Sequence, residues 1–346
     1  MRRPLIAIGV IALLVGAAAV LSYVLRIGPL APPAAGPSVV FVAISRSTDE
    51  ADAHEIEAID LAAGTRQLFD AGARITAIAI APDRRSLYVG LDAGRVALLD
   101  ATTGSEFGRV DLGGPGIASL SPSADGRWLY AVTVTNVASA VVPIDLAARK
   151  AGDPIALPSS AGAAVLRGDT LLVPVGDVRG LQVAFVDVIG RTVAQRLTLP
   201  RGTLVPPAAF AIDGARTGIV AFDPTFAGGA GVRVYEVSDP LRWTAALLQG
   251  PLPQGPARQV GFGLQAVAAA DGTVHVCTSA GAAARRYVLD ADLNAIDAGA
   301  DCGPMAAGAD LLMATRAPSL LMVMDTKTGK MLRTLPLAGV PARLVH

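Results

Sequence analysis

The sequence predicts an all-β fold: a seven-bladed β-propeller of four-stranded antiparallel blades, preceded by one N-terminal transmembrane helix. Three observations predict it. The stretch from Ile75 to Asp111 holds four short apolar segments separated by turn residues. Segments of the same kind recur seven times along the chain. The repeated region begins and ends on strands that lack a local partner.

The first element is apolar and uncharged. Met1-Arg2-Arg3-Pro4 is basic, Leu5 to Leu25 carries no charge, and Arg26 closes the run. At about 1.5 Å per helical residue this run spans roughly 31 Å, the thickness of a bilayer core. The positive flank before Leu5 leaves the N-terminus in the cytoplasm and the rest of the chain outside. A cleaved signal peptide is the rival reading, with Ala17-Ala18-Ala19 as the small residues before a cut. The apolar run continues for six residues beyond Ala19, longer than a signal core needs, which favours an uncleaved anchor over residues 1–26. No Cys lies near the end of the span, which excludes a bacterial lipid anchor. Residues 27–37 are rich in Pro, Ala and Gly and read as a semi-rigid linker. The propeller is expected over 38–346.

The blade unit is clearest at Ile75–Asp111. Pro82-Asp83 separates its first segment from its second, Asp92-Ala93-Gly94 the second from the third, and Thr103-Gly104 the third from the fourth. Each segment has the length of a strand, and four antiparallel strands in about 40 residues make one blade. Second strands are expected at Val39–Val42, Leu87–Val89, Trp128–Val132, Leu171–Val173, Gly218–Phe222, Val274–Cys277 and Leu311–Met313. Third strands tend to end in Asp: Asp60, Asp100, Asp145, Asp187, Asp290 and Asp325, with Ser238 in the fifth blade. An Asp there can accept hydrogen bonds from the amides that follow it, which suits a turn. First strands are poor in bulk, as at Ile117-Ala118-Ser119, Gly162-Ala163-Ala164, Ala208-Ala209 and Met305-Ala306-Ala307. The blades converge at the axis, and small side chains fit the narrow end of the wedge. Ser38 enters directly on a second strand, while Pro341–Val345 is a first strand with nothing after it. The C-terminus is therefore expected to supply the innermost strand of the first blade, which closes the ring.

Bulk properties exclude some functions. Hydrophobic residues make up 52% of the chain and aromatics only 4%, so Ala, Val and Leu must do the packing. Charged residues are 17% and the net charge is zero, which leaves no electrostatic footprint for nucleic acid.

Ala81-Pro82-Asp83-Arg84-Arg85-Ser86-Leu87-Tyr88-Val89, Ser121-Pro122-Ser123-Ala124-Asp125-Gly126-Arg127-Trp128-Leu129-Tyr130 and Val323-Met324-Asp325-Thr326-Lys327-Thr328-Gly329-Lys330 resemble repeats of the YVTN-type β-propeller family. The likeness is good in blades two, three and seven and degenerate between them. It implies the fold over 38–346. Its members include surface-layer proteins, extracytoplasmic binding modules and lactonases, and the heavy chain of methylamine dehydrogenase is similar. The WD-repeat family matches less well, since its Gly-His and Trp-Asp pairs are missing.

Chemistry-bearing residues are scarce. The His residues are His54, His275 and His346, and the Asn residues are Asn136 and Asn294. A metal-dependent propeller enzyme needs several such ligands converging on the axis, and this inventory is thin. A quinone-cofactor propeller carries a Trp in most blades, whereas this chain has Trp128 and Trp243. Gly261–Ala266 mimics a dinucleotide fingerprint without the strand–turn–helix that gives its glycines a task. Arg167-Gly168-Asp169 reads as a hairpin turn, and Ser123–Trp128 as a first-to-second strand turn. No catalytic residue, metal ligand or cofactor is assigned.

Two loops and one cysteine pair remain as candidates. Asp49, Glu50, Asp52 and His54 form the acidic cluster of the long second-to-third loop in blade one. Asp223 and Phe226 lie in the matching loop of blade five, on the same expected rim. Long loops on one face of a repeat scaffold are where binding usually resides. Cys277 and Cys302 are the only cysteines, and an oxidising compartment would allow them to pair. The expectation is a non-catalytic interaction module or accessory subunit at the cell membrane. Its propeller lies outside the cytoplasm, its partner is another membrane or periplasmic protein, and it contacts lipid through residues 5–25. The alternative is a lactonase-like or ligand-binding propeller with its site at the mouth of the central channel.

Overall fold

Residues 34–346 form one compact unit. The structure, a computed structural model, describes residues 38–47, 52–114, 116–135, 138–177, 180–199, 208–211, 216–223, 231–239, 242–248, 265–269, 272–278, 285–289, 295–300, 303–308, 310–316, 319–326 and 330–346. Among these residues no helix is long and apolar enough to cross a membrane. The span expected at 5–25 lies outside them.

Seven antiparallel sheets make up the unit. From the axis outward, blade 1 joins Val340–Val345, Val39–Ser45, Glu55–Asp60 and Arg66–Asp70. Blade 2 holds Ile75–Ile80, Ser86–Leu91, Arg95–Asp100 and Glu106–Asp111. Blade 3 holds Gly116–Pro122, Trp128–Val134 and Ser139–Asp145, and its outer strand is split into Lys150–Ala151 and Ile155–Leu157. Blade 4 holds Val165–Arg167, Thr170–Asp177, Gly180–Asp187 and Thr192–Leu199. Blade 5 holds Ala208–Ala211, Thr217–Asp223, Gly231–Asp239 and Arg242–Leu248. Blade 6 holds Gln265–Ala268, Val274–Thr278, Arg285–Leu289 and Ala295–Ala300. Blade 7 holds Met305–Ala307, Leu311–Arg316, Leu320–Asp325 and Met331–Pro336.

Each inner strand touches the inner strand of the next blade, and the cycle closes from blade 7 through Val340–Val345 to blade 2. The C-terminal strand pairs antiparallel with Val39–Ser45, as the unpaired ends of the repeat predict. The small first strand expected at Gly162–Ala164 makes no continuous ladder, although the Gly162 N–H bonds to Pro174 O at 2.9 Å on the second strand of its own blade. The inner strand of blade 4 begins at Val165, and Ala163 instead forms a parallel bridge to Ala208 of blade 5. Its carbonyl accepts the Ala209 N–H at 2.7 Å. Ala163 is small enough to let the two blades touch backbone to backbone, while its neighbours still pair within blade 4, Gly162 with Pro174 and Ala161 by a bridge to Val175.

The core is divided among the seams. Val40, Val42 and Ile44 pack with Met313, Leu321 and Val323 of blade 7. Phe41 and Ala43, on the opposite face of the same strand, pack with Leu87, Val89 and Ala97 of blade 2. A strand buried on both faces reads as a continuous apolar run, which is why the second strands are the clearest signal in the sequence. Blades 2–3, 3–4, 4–5, 5–6 and 6–7 each have a cluster of their own.

Turn chemistry sets the strand ends. Asp60 Oδ1 accepts from the Ala62 and Ala63 amides at 2.8 and 3.1 Å, and Asp100 Oδ1 from Thr102 and Thr103 at 2.9 and 2.8 Å. Asp145 and Asp187 repeat the bond. Four residues after each Asp the backbone turns left-handed, with Gly64 and Gly104 both at φ 71° but Arg149 at 51° and Arg191 at 54°. Gly104 has no alternative, because an added Cβ would collide with the Phe69 ring of blade 1. At the matching point of blade 3 there is room for Arg149, whose guanidinium stacks 5.7 Å from the Phe107 ring of blade 2.

Candidate functional site

The strand order sorts the connections onto two rims. Inner-to-second and third-to-outer turns share one rim. Second-to-third loops and blade-to-blade connections share the other, the loop rim. The strand ends that bracket the two candidate loops, Ser45 and Glu55 in blade 1 and Asp223 and Gly231 in blade 5, therefore lie on the loop rim. Asp49, Glu50 and Phe226 lie outside the described residues, as does the side chain of Asp223.

The base of the blade 1 loop is braced on several sides. Arg46 donates from Nε and Nη2 to the two carboxylate oxygens of Glu55 at 2.7 and 2.6 Å. That carboxylate holds the Arg46 guanidinium above its ordinary pKa. Ser45 and Ser47 hydroxyls meet at 2.9 Å. The returning chain is stitched by its backbone: His54 donates to Ile44 O at 3.3 Å, Ala71 to His54 O at 3.0 Å, and Ile75 of blade 2 to Ala53 O at 2.7 Å. Ala53 is buried, while Asp52 and His54 on either side of it are exposed. A buried alanine between two exposed polar residues sets both side chains on a rigid platform facing solvent.

The three His sit apart. His54 is on the loop rim of blade 1. His346 follows Val340–Val345 at the other rim, beside Gly308 of blade 7. His275 is 4% exposed within the second strand of blade 6. Among the described residues no group of three His, Cys, Asp or Glu could hold a metal ion.

The innermost strands contain no Asp, Glu or His; their only charged residues are Arg343 and Arg167. Ser119 and Arg343 there bond to the neighbouring blade. Ser119 Oγ accepts the Ala164 N–H of blade 4 at 3.0 Å, and Arg343 Nε donates to Thr76 O of blade 2 at 3.3 Å. Among the described residues, the inner strands offer hydroxyls, carbonyls and two guanidinium groups, and no carboxylate.

Cys277 is fully buried and disulfide-bonded, among Met305, Met322 and Met324 of blade 7. The other cysteine, Cys302, lies outside the described residues. Sequence reading missed a buried carboxylate. Glu57 is 2% exposed in the third strand of blade 1. It accepts the Ala338 N–H at 2.8 Å and pairs with Arg66 at 3.3 Å, and Arg66 also donates to Pro336 O. The only sign of it is a Glu inside the apolar alternation Glu55-Ile56-Glu57-Ala58-Ile59.

Comparison with known proteins bears on the fold. No protein-family model and no curated protein matches the chain, so membership of the YVTN-type family is not shown. Solved structures do match. A putative 6-phosphogluconolactonase from Bacteroides fragilis is 12% identical, with a TM-score of 0.64 over 91% of this chain and 99% of that one. The dihydro-heme d1 dehydrogenase NirN is 15% identical, with a TM-score of 0.56 over 91% and 76%. The β-propeller domain of Cps50 (Swd1) from Myceliophteria thermophila is 13% identical, with a TM-score of 0.55 over 86% and 96%. At such identities the likeness carries the propeller fold alone, since one fold hosts many functions.

Proposed function

We propose that the protein is a non-catalytic interaction module: a propeller held at the cell membrane by residues 5–25, in the extracytoplasmic space, presenting its loop rim to another membrane or periplasmic protein. The observation that carries this reading is the composition of the inner strands, which hold no carboxylate or imidazole and in which Ser119, Ser121 and Arg343 bond to a neighbouring blade. The braced platform at Asp52 and His54 supports the loop rim as the contact face. A membrane tether would raise the effective concentration for neighbouring membrane proteins. The alternative, a lactonase-like site at the channel mouth, draws on the likeness to the putative 6-phosphogluconolactonase. The discriminating experiment is mild-detergent extraction followed by co-purification. A stoichiometric partner lost on substituting Asp52 and His54 together supports the module. A chain that purifies alone and hydrolyses a sugar lactone would establish the enzyme instead.

A further inference from the structure

The ring covers the inner edge of every blade and leaves the outer edges open. The outer strand of blade 1, Arg66–Asp70, differs from its counterparts. In blades 2, 4, 5, 6 and 7 the outer strand pairs through a register shift, and in blade 3 it is broken in two. In blade 1 the pairing runs from Glu55↔Asp70 to Ile59↔Arg66 without a break. Bulges twist an edge away from would-be partners, whereas a regular edge is a template for another strand. The ladder shows which groups are open. Thr65 O accepts from Asp60 N–H, and Ala71 N–H donates to His54 O, each at 3.0 Å. Residues 65, 67, 69 and 71 therefore bond inward, and Arg66, Leu68 and Asp70 turn their N–H and C=O outward. These three side chains share one face of the blade, and all are exposed, Leu68 by 46%.

We propose that this edge pairs with the same edge of a second copy, antiparallel and two-fold about Leu68. In that register Leu68 faces Leu68, and Arg66 of each copy faces Asp70 of the other. All the outward groups of the three residues fall in hydrogen-bonded pairs. A cation and an anion at opposite ends of an edge repel a uniformly charged strand but complement their own reversed copy, the self-complementarity an isologous contact needs. Blade 2 lacks this property. The same operation on Glu106–Asp111, centred on the outward-turned Arg109, would set Arg109 against Arg109 of the other copy and Asp111 against Phe107. Two discs meeting at one strand bury little surface, so the dimer is concentration-dependent.

The test is sedimentation of the full-length chain in mild detergent over a concentration series. The mass is expected to rise from the 35.1 kDa monomer towards twice that value. Asp70→Lys opposes a cation to Arg66, Arg66→Asp opposes an anion to Asp70, and each is expected to weaken dimerisation by about tenfold. Mixing the two variants restores it, because each altered charge then meets its complement. Arg66 also contacts Glu57, so Arg66→Asp carries a folding risk. Leu68→Cys is an independent arm: a short bifunctional thiol reagent is expected to yield a covalent dimer, suppressed when Asp70→Lys is added. A monomer at every concentration, or a dimer that Asp70→Lys leaves unchanged, overturns the proposal.

Discussion

Glu57 shows how far a single residue can reach in this fold. Its carboxylate lies 281 positions from Ala338, whose amide it accepts, and it ties the last connection of the ring to the first blade. Removing a buried charge partner leaves donors unsatisfied, so Glu57→Ala is expected to destabilise the fold by about 3 kcal/mol, read from urea unfolding. A loss within experimental error would show that water replaces the carboxylate. Asp60 acts locally and through pH. Hydrogen bonds from Ser38, Ala63 and Ala62 hold its carboxyl below its ordinary value. A depressed folded pKa contributes stability that is present above the unfolded value and lost as pH falls through the folded one. Asp60→Asn should therefore flatten acid destabilisation below about pH 4, and an unchanged acid limb would count against the bond. The two residues differ in legibility. An Asp like Asp60 recurs at the ends of third strands, as at Asp100, Asp145 and Asp187, so its task could be read from sequence, whereas Glu57 serves a partner no local pattern can name.

At the scale of elements, the second strands were readable because burial on both faces makes them continuous apolar runs. The third strands were readable by their terminal Asp, and the C-terminal strand by its lack of a local partner. The inner strand of blade 4 was read only in part: Gly162 of the expected Gly162–Ala164 does bond to Pro174 of its own blade, but the regular ladder begins at Val165, and sequence does not reveal that Ala163 bridges to blade 5. The split outer strand of blade 3 carried no signal either, since outer strands face solvent and tolerate breaks. The disulfide belongs to this scale. Cys277 sits on the second strand of blade 6 within the seam with blade 7, and a bond to Cys302 would staple the two blades. Closing a loop of 25 residues constrains the unfolded chain, so Cys277→Ser is expected to cost about 3 kcal/mol. The same loss should follow from adding reductant to the native protein. A non-reduced digest that lacks a peptide joining Cys277 to Cys302 would rule out that pairing.

At the scale of the whole molecule, the ring and the compartment make separate demands on the same sequence. The propeller needs small residues at its axis, apolar central strands and a closing strand, and the described residues supply all three. The candidate site was less legible than the fold, because loop identity is free to vary once strand ends are set; only the bracing of Asp52 and His54 is fixed by backbone bonds. The compartment rests on other features: the basic flank before Leu5, the uncharged run to Leu25 and the bonded cysteine, which belongs to an oxidising environment. Together they predict that the propeller lies outside the cytoplasm. Val345 ends the inner strand of blade 1 at the rim opposite the loop rim, so a reporter fused after His346 leaves the ring without crossing a blade. A reporter that is active only after export should work there, and one that fluoresces only in the cytoplasm should stay dark. The reverse pattern would remove the membrane-held, extracytoplasmic part of the proposed function while leaving the propeller and its blade 1 edge intact.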